Sequence, residues 1–196
     1  MKLTPFVDAL PLPRVLKPVK ICKDGTYYEV RMKDLFHQFH SELKPTKVWG
    51  YEGQVPDPVI EAEKGITTKI QWINEISDEK HILPVDHTLH GSHEGMPEVR
   101  TVVHLHGAEV EPDSDGHPDA WYTRNFEVCG PRFTQKIYTY PNNQRAATLW
   151  YHDHAVGITR LNVYAGLAGM YIIRSEEERA LNLPSGIYEI PLVIQD

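Results

Sequence analysis

The stretch Leu149–Asn162, LWYHDHAVGITRLN, sets a histidine on either side of an aspartate directly after a Trp-Tyr pair. Arg100–Glu109, RTVVHLHGAE, carries the same His-x-His spacing. Apolar and β-branched residues precede both pairs, which reads as strand rather than helix. Residues i and i+2 of a strand share a face, so His104 and His106 point the same way, roughly 6.5–7 Å apart along the backbone, and so do His152 and His154. Two such strands side by side present four imidazoles to one small volume. Val102, Val103 and Leu105 flank one pair, and Leu149, Trp150 and Tyr151 the other, so both segments are expected to be buried.

A single His-x-His is as readily a polar strand face as a ligand pair. Two of them in apolar surroundings need a common partner, and neutral imidazole is a ligand suited to copper, zinc, iron and nickel. No cysteine stands beside these histidines, so they do not form a structural Cys/His zinc site. HLHGAEVE also fits a cupin-like mononuclear oxygenase, with Glu111 as the further ligand, but that reading leaves His152 and His154 without a role. Several metal ions held close together suit the two pairs better.

The sequence resembles the multicopper oxidases, and within them the N-terminal part of the bacterial spore-coat laccases. The resemblance runs through FVDALPLP (6–13), KVWGYEG (47–53), TVVHLHG (101–107), DSDGHPDAW (113–121), LWYHDHAVGITRLNVYAGLAGMYII (149–173) and PLVIQD (191–196). HLHG and WYHDH match the first two of the family's four copper motifs. Carried over residue by residue, the resemblance implies that His104 binds the type 2 copper, that His106 and His152 bind one type 3 copper, and that His154 binds the other. These three coppers form the trinuclear cluster where dioxygen is reduced to water. The family's remaining motifs, which supply the other trinuclear ligands and the Cys-His site of the type 1 copper, have no match here. Cys22 and Cys129 are the only cysteines, and neither lies in a His-Cys-His context.

The fold class this implies is all-β, a cupredoxin-like Greek-key β-sandwich with short helical turns. Fifteen Pro and 13 Gly among 196 residues punctuate short apolar runs, in keeping with a sandwich. The expected strands are TYYEVRM, VIEAE, TTKIQWI, TVVHLH, RFTQKIYTY, ATLWYHDH and GMYIIR, with helical turns near Ile158–Tyr164 and Glu176–Leu181. An N-terminal domain is expected over 1–175 and a linker, EEERALNLPSG, over 176–186. Residues 187–196 then read as the first strand of a second cupredoxin domain, with PLVI seeking a sheet to join. On this reading the C-terminal portion of the same oxidase is the partner, aromatic substrate binds there, and the chain alone is inactive.

A net charge of −7 and no basic run exclude nucleic acid as a partner. No stretch has the apolar length of a membrane span. MKLTPFVDALPLP carries one lysine and a Pro-interrupted apolar run, so no secretory signal is expected and synthesis is assigned to the cytoplasm; a spore-coat destination is implied only by the resemblance. Cys22 and Cys129 are read as free, buried thiols.

Reduction of dioxygen consumes protons, and Asp115, shortly after HLHG, is the candidate proton relay; otherwise it builds an Asp/Gly turn with Asp113. Asp153 must point to the opposite face from its neighbouring histidines, either to orient a backbone or imidazole group or to pair with Arg160. His81, His87, His90 and His93, in HILPVDHTLHGSHEG, read as a mobile surface loop, and His37 and His40 as structural residues on adjacent turns of a short helix. His117 reads as a turn residue. Asp57 stands between Pro56 and Pro58 where many family members have glycine, and reads as a turn residue. The competing functional class is a truncated, non-enzymatic copper-binding or coat component.

Overall fold

The computed structural model describes residues 2–195, and Met1 and Asp196 lie outside the described residues. Among the described residues nine strands form two sheets: β1 Lys20–Cys22, β2 Gly25–His37, β3 Thr46–Tyr51, β4 Ile60–Glu63, β5 Thr68–Asn74, β6 Val103–His106, β7 Ile137–Tyr140, β8 Ala147–Asp153 and β9 Ala168–Arg174. One sheet runs β1-β2-β5-β7, with β3 also paired to β2; the other runs β4-β9-β8-β6. The pairings β2–β5 and β4–β9 are parallel and the rest antiparallel. The expected all-β sandwich is what forms. No helix is long and apolar enough to cross a membrane among the described residues.

The sequence pattern explains which faces meet. In β5, TKIQWIN alternates buried and half-buried residues throughout, the period-two signature of a strand with one face on a core. Tyr51, Trp72 and Tyr151 bring the sheets together, with ring centroids 4.9–5.6 Å apart. Aromatic contacts of this kind add about 0.5–1.5 kcal/mol each beyond the burial itself. The Trp72 indole N–H donates to the Tyr140 hydroxyl at 3.0 Å, and the Tyr122 hydroxyl donates to the Trp72 carbonyl at 3.0 Å. The polar ends of Trp72, Tyr140 and Tyr122 are thereby satisfied within the core, whereas the buried Tyr51 hydroxyl has no hydrogen-bond partner among the described residues.

Two α-helices occur among the described residues, besides short 3-10 turns: α1, Thr159–Ala165, and α2, Glu176–Arg179, both where helical turns are expected. The Ser175 hydroxyl caps α2 by accepting the Glu178 N–H. The stretch read as a linker therefore begins as a helix. Ion pairs Lys64–Glu177 and Arg179–Glu63 tie it to β4 and the turn after it.

Several expectations need correction. Only Ile137–Tyr140 of RFTQKIYTY becomes strand, while Lys20–Cys22 and Thr46–Tyr51 are strands that the sequence pattern does not announce. His37 and His40 do not lie on a helix: β2 continues through His37, which pairs with Thr46, and the His40 ring meets the Thr4 carbonyl. Pro191–Ile194, read as a strand of a further domain, makes no ladder among the described residues. Cys22 and Cys129 are free, as expected, but half-buried rather than buried.

Candidate metal centre

The four histidines come from the β6–β8 pair and the residues just past its end. In the antiparallel register His104 faces His152, His106 faces Trp150, and Val103 faces Asp153. Period-two alternation then sorts the side chains. Val103, Leu105, Leu149 and Tyr151 enter the core, and the histidines occupy the face turned away from it. Trp150 shares that face and is 41% exposed, which corrects the expectation that it is buried. His106 is exposed as well.

The imidazoles converge. One ring nitrogen from each of His104, His106 and His152 lies within 4.8 Å of the others. His154 completes the set from the other side, stacked on His104 with centroids 4.8 Å apart. Its place is fixed by its own backbone N–H, which donates to the Val102 carbonyl at 2.8 Å.

Three of the rings are held by carbonyl oxygens. Nδ1 of His104 meets the Asp115 carbonyl at 2.5 Å, Nδ1 of His154 meets that of Gly116 at 2.8 Å, and Nδ1 of His152 meets that of Asp153 at 2.6 Å. A carbonyl can only accept, so each Nδ1 carries the proton and each Nε2 keeps its lone pair for a metal. His106 has no such carbonyl; its Nδ1 lies 3.4 Å from Nε2 of His152.

The Asp115–Gly116 turn is therefore part of the site. Gly116 has φ +75°, and a Cβ there would lie 2.1 Å from the Val103 carbonyl oxygen, so only glycine lets the turn lie against β6. The buried Ser114 hydroxyl accepts the Thr139 N–H at 3.0 Å and anchors the same turn to β7. Val102, Ala120, Trp121, Ala155 and Ile158 form a second, smaller apolar cluster.

Electrostatics favour neutral ligands. Burial pushes the His152 imidazole down to about 4, against the Asp153 carbonyl, which pulls the other way. Burial also lowers His154, again opposed by a carbonyl, that of Gly116. Neutral imidazoles with free Nε2 atoms and no thiolate are a donor set that fits copper.

Asp115 contributes its carbonyl, and its half-exposed carboxylate lies 3.3 Å from Nδ1 of His104. Asp153 is fully buried. Its carboxylate accepts the backbone N–H groups of Val102 and Ala155, each at 3.0 Å, which is the backbone-orienting role; no ion pair with Arg160 forms among the described residues. Glu111 is exposed and outside the cluster, where it cannot serve as the ligand of a cupin-like site. His87, His90 and His93 do not join a ligand cluster among the described residues. His81 departs from the surface-loop reading: it is 8% exposed, edge-on to Trp49. His117 is the turn residue it was expected to be, accepting the Asp119 N–H. Sequence reasoning misses Gly116, His81 and Asn162; only the DG pair offers a local signal, that of a turn.

Comparison with known proteins bears on this cluster directly, because residues 93–178, which contain all four histidines, match the multicopper oxidase family model. That stretch is thus similar to a multicopper oxidase domain. It is 52% identical over 196 residues to a laccase of Bacillus stratosphericus, covering 100% of this chain and 38% of that protein. It is 53% identical over 199 residues to a laccase of Bacillus subtilis strain 168, with the same coverage. Among solved structures, a laccase from Pediococcus acidilactici superposes with a TM-score of 0.71 at 29% identity, over 91% of this chain and 32% of that one. The chain thus spans about two fifths of the curated relatives it matches, their N-terminal part. The sandwich is of the cupredoxin type shared by the multicopper oxidases, and copper is the metal that family uses.

Proposed function

We propose that this chain supplies half of the trinuclear copper ligands of a laccase-like multicopper oxidase, in which one-electron oxidations of phenolic or related aromatic substrates are coupled to four-electron reduction of dioxygen to water. The observation that carries the reading is the convergence of His104, His106 and His152, with His154 stacked on His104, on one face of the β6–β8 pair. In the proposed assignment His104 holds the type 2 copper, His106 and His152 one type 3 copper, and His154 the other. Copper would supply the one-electron redox steps at this site.

The chain's own residues have separable tasks in this reading. The Asp115, Gly116 and Asp153 carbonyls hold three rings with Nε2 free. The Asp115 carboxylate, beside His104, is placed to pass protons toward the site from solvent, and each dioxygen reduced to two waters consumes four. The remaining ligands, the type 1 copper and the aromatic-substrate pocket are assigned to the C-terminal portion of the oxidase. Residues 1–175 are proposed as the first cupredoxin domain, 176–186 as the connection and 187–196 as the start of the next. A spore coat is the proposed destination, on the strength of the resemblance to spore-coat laccases.

The test is substitution in the assembled oxidase. His106→Ala or His154→Ala should abolish dioxygen reduction and lower the copper content while leaving the blue type 1 absorption in place. Loss of the blue band with a full complement of the other coppers would overturn the assignment.

A further inference from the structure

Behind the histidine face runs a buried polar chain that the ligand set does not use. Asn162, on α1, is 0% exposed. Its amide nitrogen donates to the Asp153 carboxylate at 2.7 Å and to the Arg100 carbonyl at 3.0 Å, and its amide oxygen meets Nε2 of His81 at 2.9 Å. Nδ1 of His81 accepts the Leu83 N–H at 2.9 Å, so the His81 proton lies on Nε2 and is donated to Asn162. Both amide protons of Asn162 and its oxygen are thereby used.

The far end of this chain is the residue between two ligands. Asp153 holds the residue just before β6 through the Val102 N–H and the following turn through the Ala155 N–H. Its own carbonyl accepts from His152, and Val102 in turn accepts the His154 N–H. The orientation of Asp153 therefore sets both the direction of the His152 ring and the place where the chain delivers His154. Without Asn162 the carboxylate would keep two backbone donors and lose its one side-chain donor.

We infer that Asn162 is a positioning residue for the copper centre, held by His81 and acting through Asp153 on His152 and His154. The inference rests on the proposed copper centre. Groups that orient metal ligands at one remove typically matter by about 10–100-fold in metal affinity.

The experiment measures Cu(II) affinity by chelator competition, together with the Cu(II) electron paramagnetic resonance spectrum, for the wild-type chain and three variants whose copper-free melting is recorded alongside. Asn162→Asp keeps the shape and the acceptor for His81 but removes both amide protons. His81→Phe keeps the packing on Trp49 but removes the donor to Asn162. His81→Gln restores a donor. Asn162→Asp and His81→Phe should each weaken Cu(II) binding by about tenfold or more and alter the spectrum, and His81→Gln should stay near wild type. Folded variants with wild-type affinity and spectrum would overturn the inference while leaving the copper reading intact. A wild-type chain that binds no copper even when assembled with the C-terminal portion of the oxidase would instead overturn the reading beneath it. If Asn162→Asp does not fold, the contrast between His81→Phe and His81→Gln decides, and equal affinities in those two would overturn the inference.

Discussion

The Trp150 indole lies 4.1 Å, centroid to centroid, from the His152 imidazole, with the two planes 28° apart. The same indole stacks on His106 at 5.2 Å. A metal held by either histidine is therefore in contact range of the one exposed tryptophan; Trp49, Trp72 and Trp121 are buried.

Cu(II) should accordingly quench the tryptophan emission of the chain, and Trp150→Phe, which keeps an aromatic ring on the stack, should remove most of that quenching. Fluorescence titration with and without a chelator reads this out. Equal quenching in the two proteins would place the copper elsewhere.

Gly116→Ala should damage the metal centre more than the sandwich. The added methyl cannot coexist with the Val103 carbonyl, so the turn must move, and with it the two carbonyls that hold His104 and His154. Copper affinity is expected to fall by on the order of tenfold or more, with far-ultraviolet circular dichroism unchanged. Wild-type affinity would show that the rings hold their places without those carbonyls.

Asp57 does more than shape a turn. It is 3% exposed, and its carboxylate accepts the Tyr51 N–H at 2.7 Å and the Ala168 N–H at 3.1 Å, joining β3 to β9 across the sandwich. Asp57→Gly leaves the Tyr51 N–H unpaired and the Ala168 N–H with only the Gly166 carbonyl, at a cost of about 1–3 kcal/mol. For a chain of this size that corresponds to a melting point lower by roughly 2–12 °C. A melting point unchanged within error would mean that water replaces the carboxylate.

His81 predicts a pH dependence. Burial lowers its pKa in the folded chain, opposed by its hydrogen bonds to Asn162 and Leu83. The unfolded chain, with a histidine pKa of about 6.5, then binds more protons than the folded one as pH drops through that value, so stability falls with acidification. Between about pH 7.5 and 5 the wild-type chain should lose more stability than His81→Gln, by denaturant unfolding. Parallel curves would remove His81 from the acid response.

The parts of the molecule that are legible in the sequence are those whose signals are local. His104 and His106, and His152 and His154, advertise a shared face through their spacing, and the core strands announce themselves by alternation. β3 does not, because Gly50 interrupts its pattern and its strand character comes from the ladder with β2. Alternation also assigns Trp150 to the histidine face, while its apolar character suggests burial; the face, not the residue type, decides. The Asn162–His81 contact joins residues 81 positions apart, and nothing local in HILPVDH marks it. Asp57 is hidden for the same reason, since its two donors lie on strands separated by more than half the chain.

The alternation of β8 has an evolutionary reading. Leu149 and Tyr151 answer to the hydrophobic interior, while Trp150 and His152 answer to the opposite face. Saturation mutagenesis along this strand should return two interleaved phenotypes, with abundance lost at one set of positions and metal content lost at the other. A lineage could discard its metal by changing every second residue and keep a folded protein, or repack its interior without touching the ligands. Asp153 is where the two sets of constraints meet, because its carboxylate is buried while its carbonyl orients a ligand.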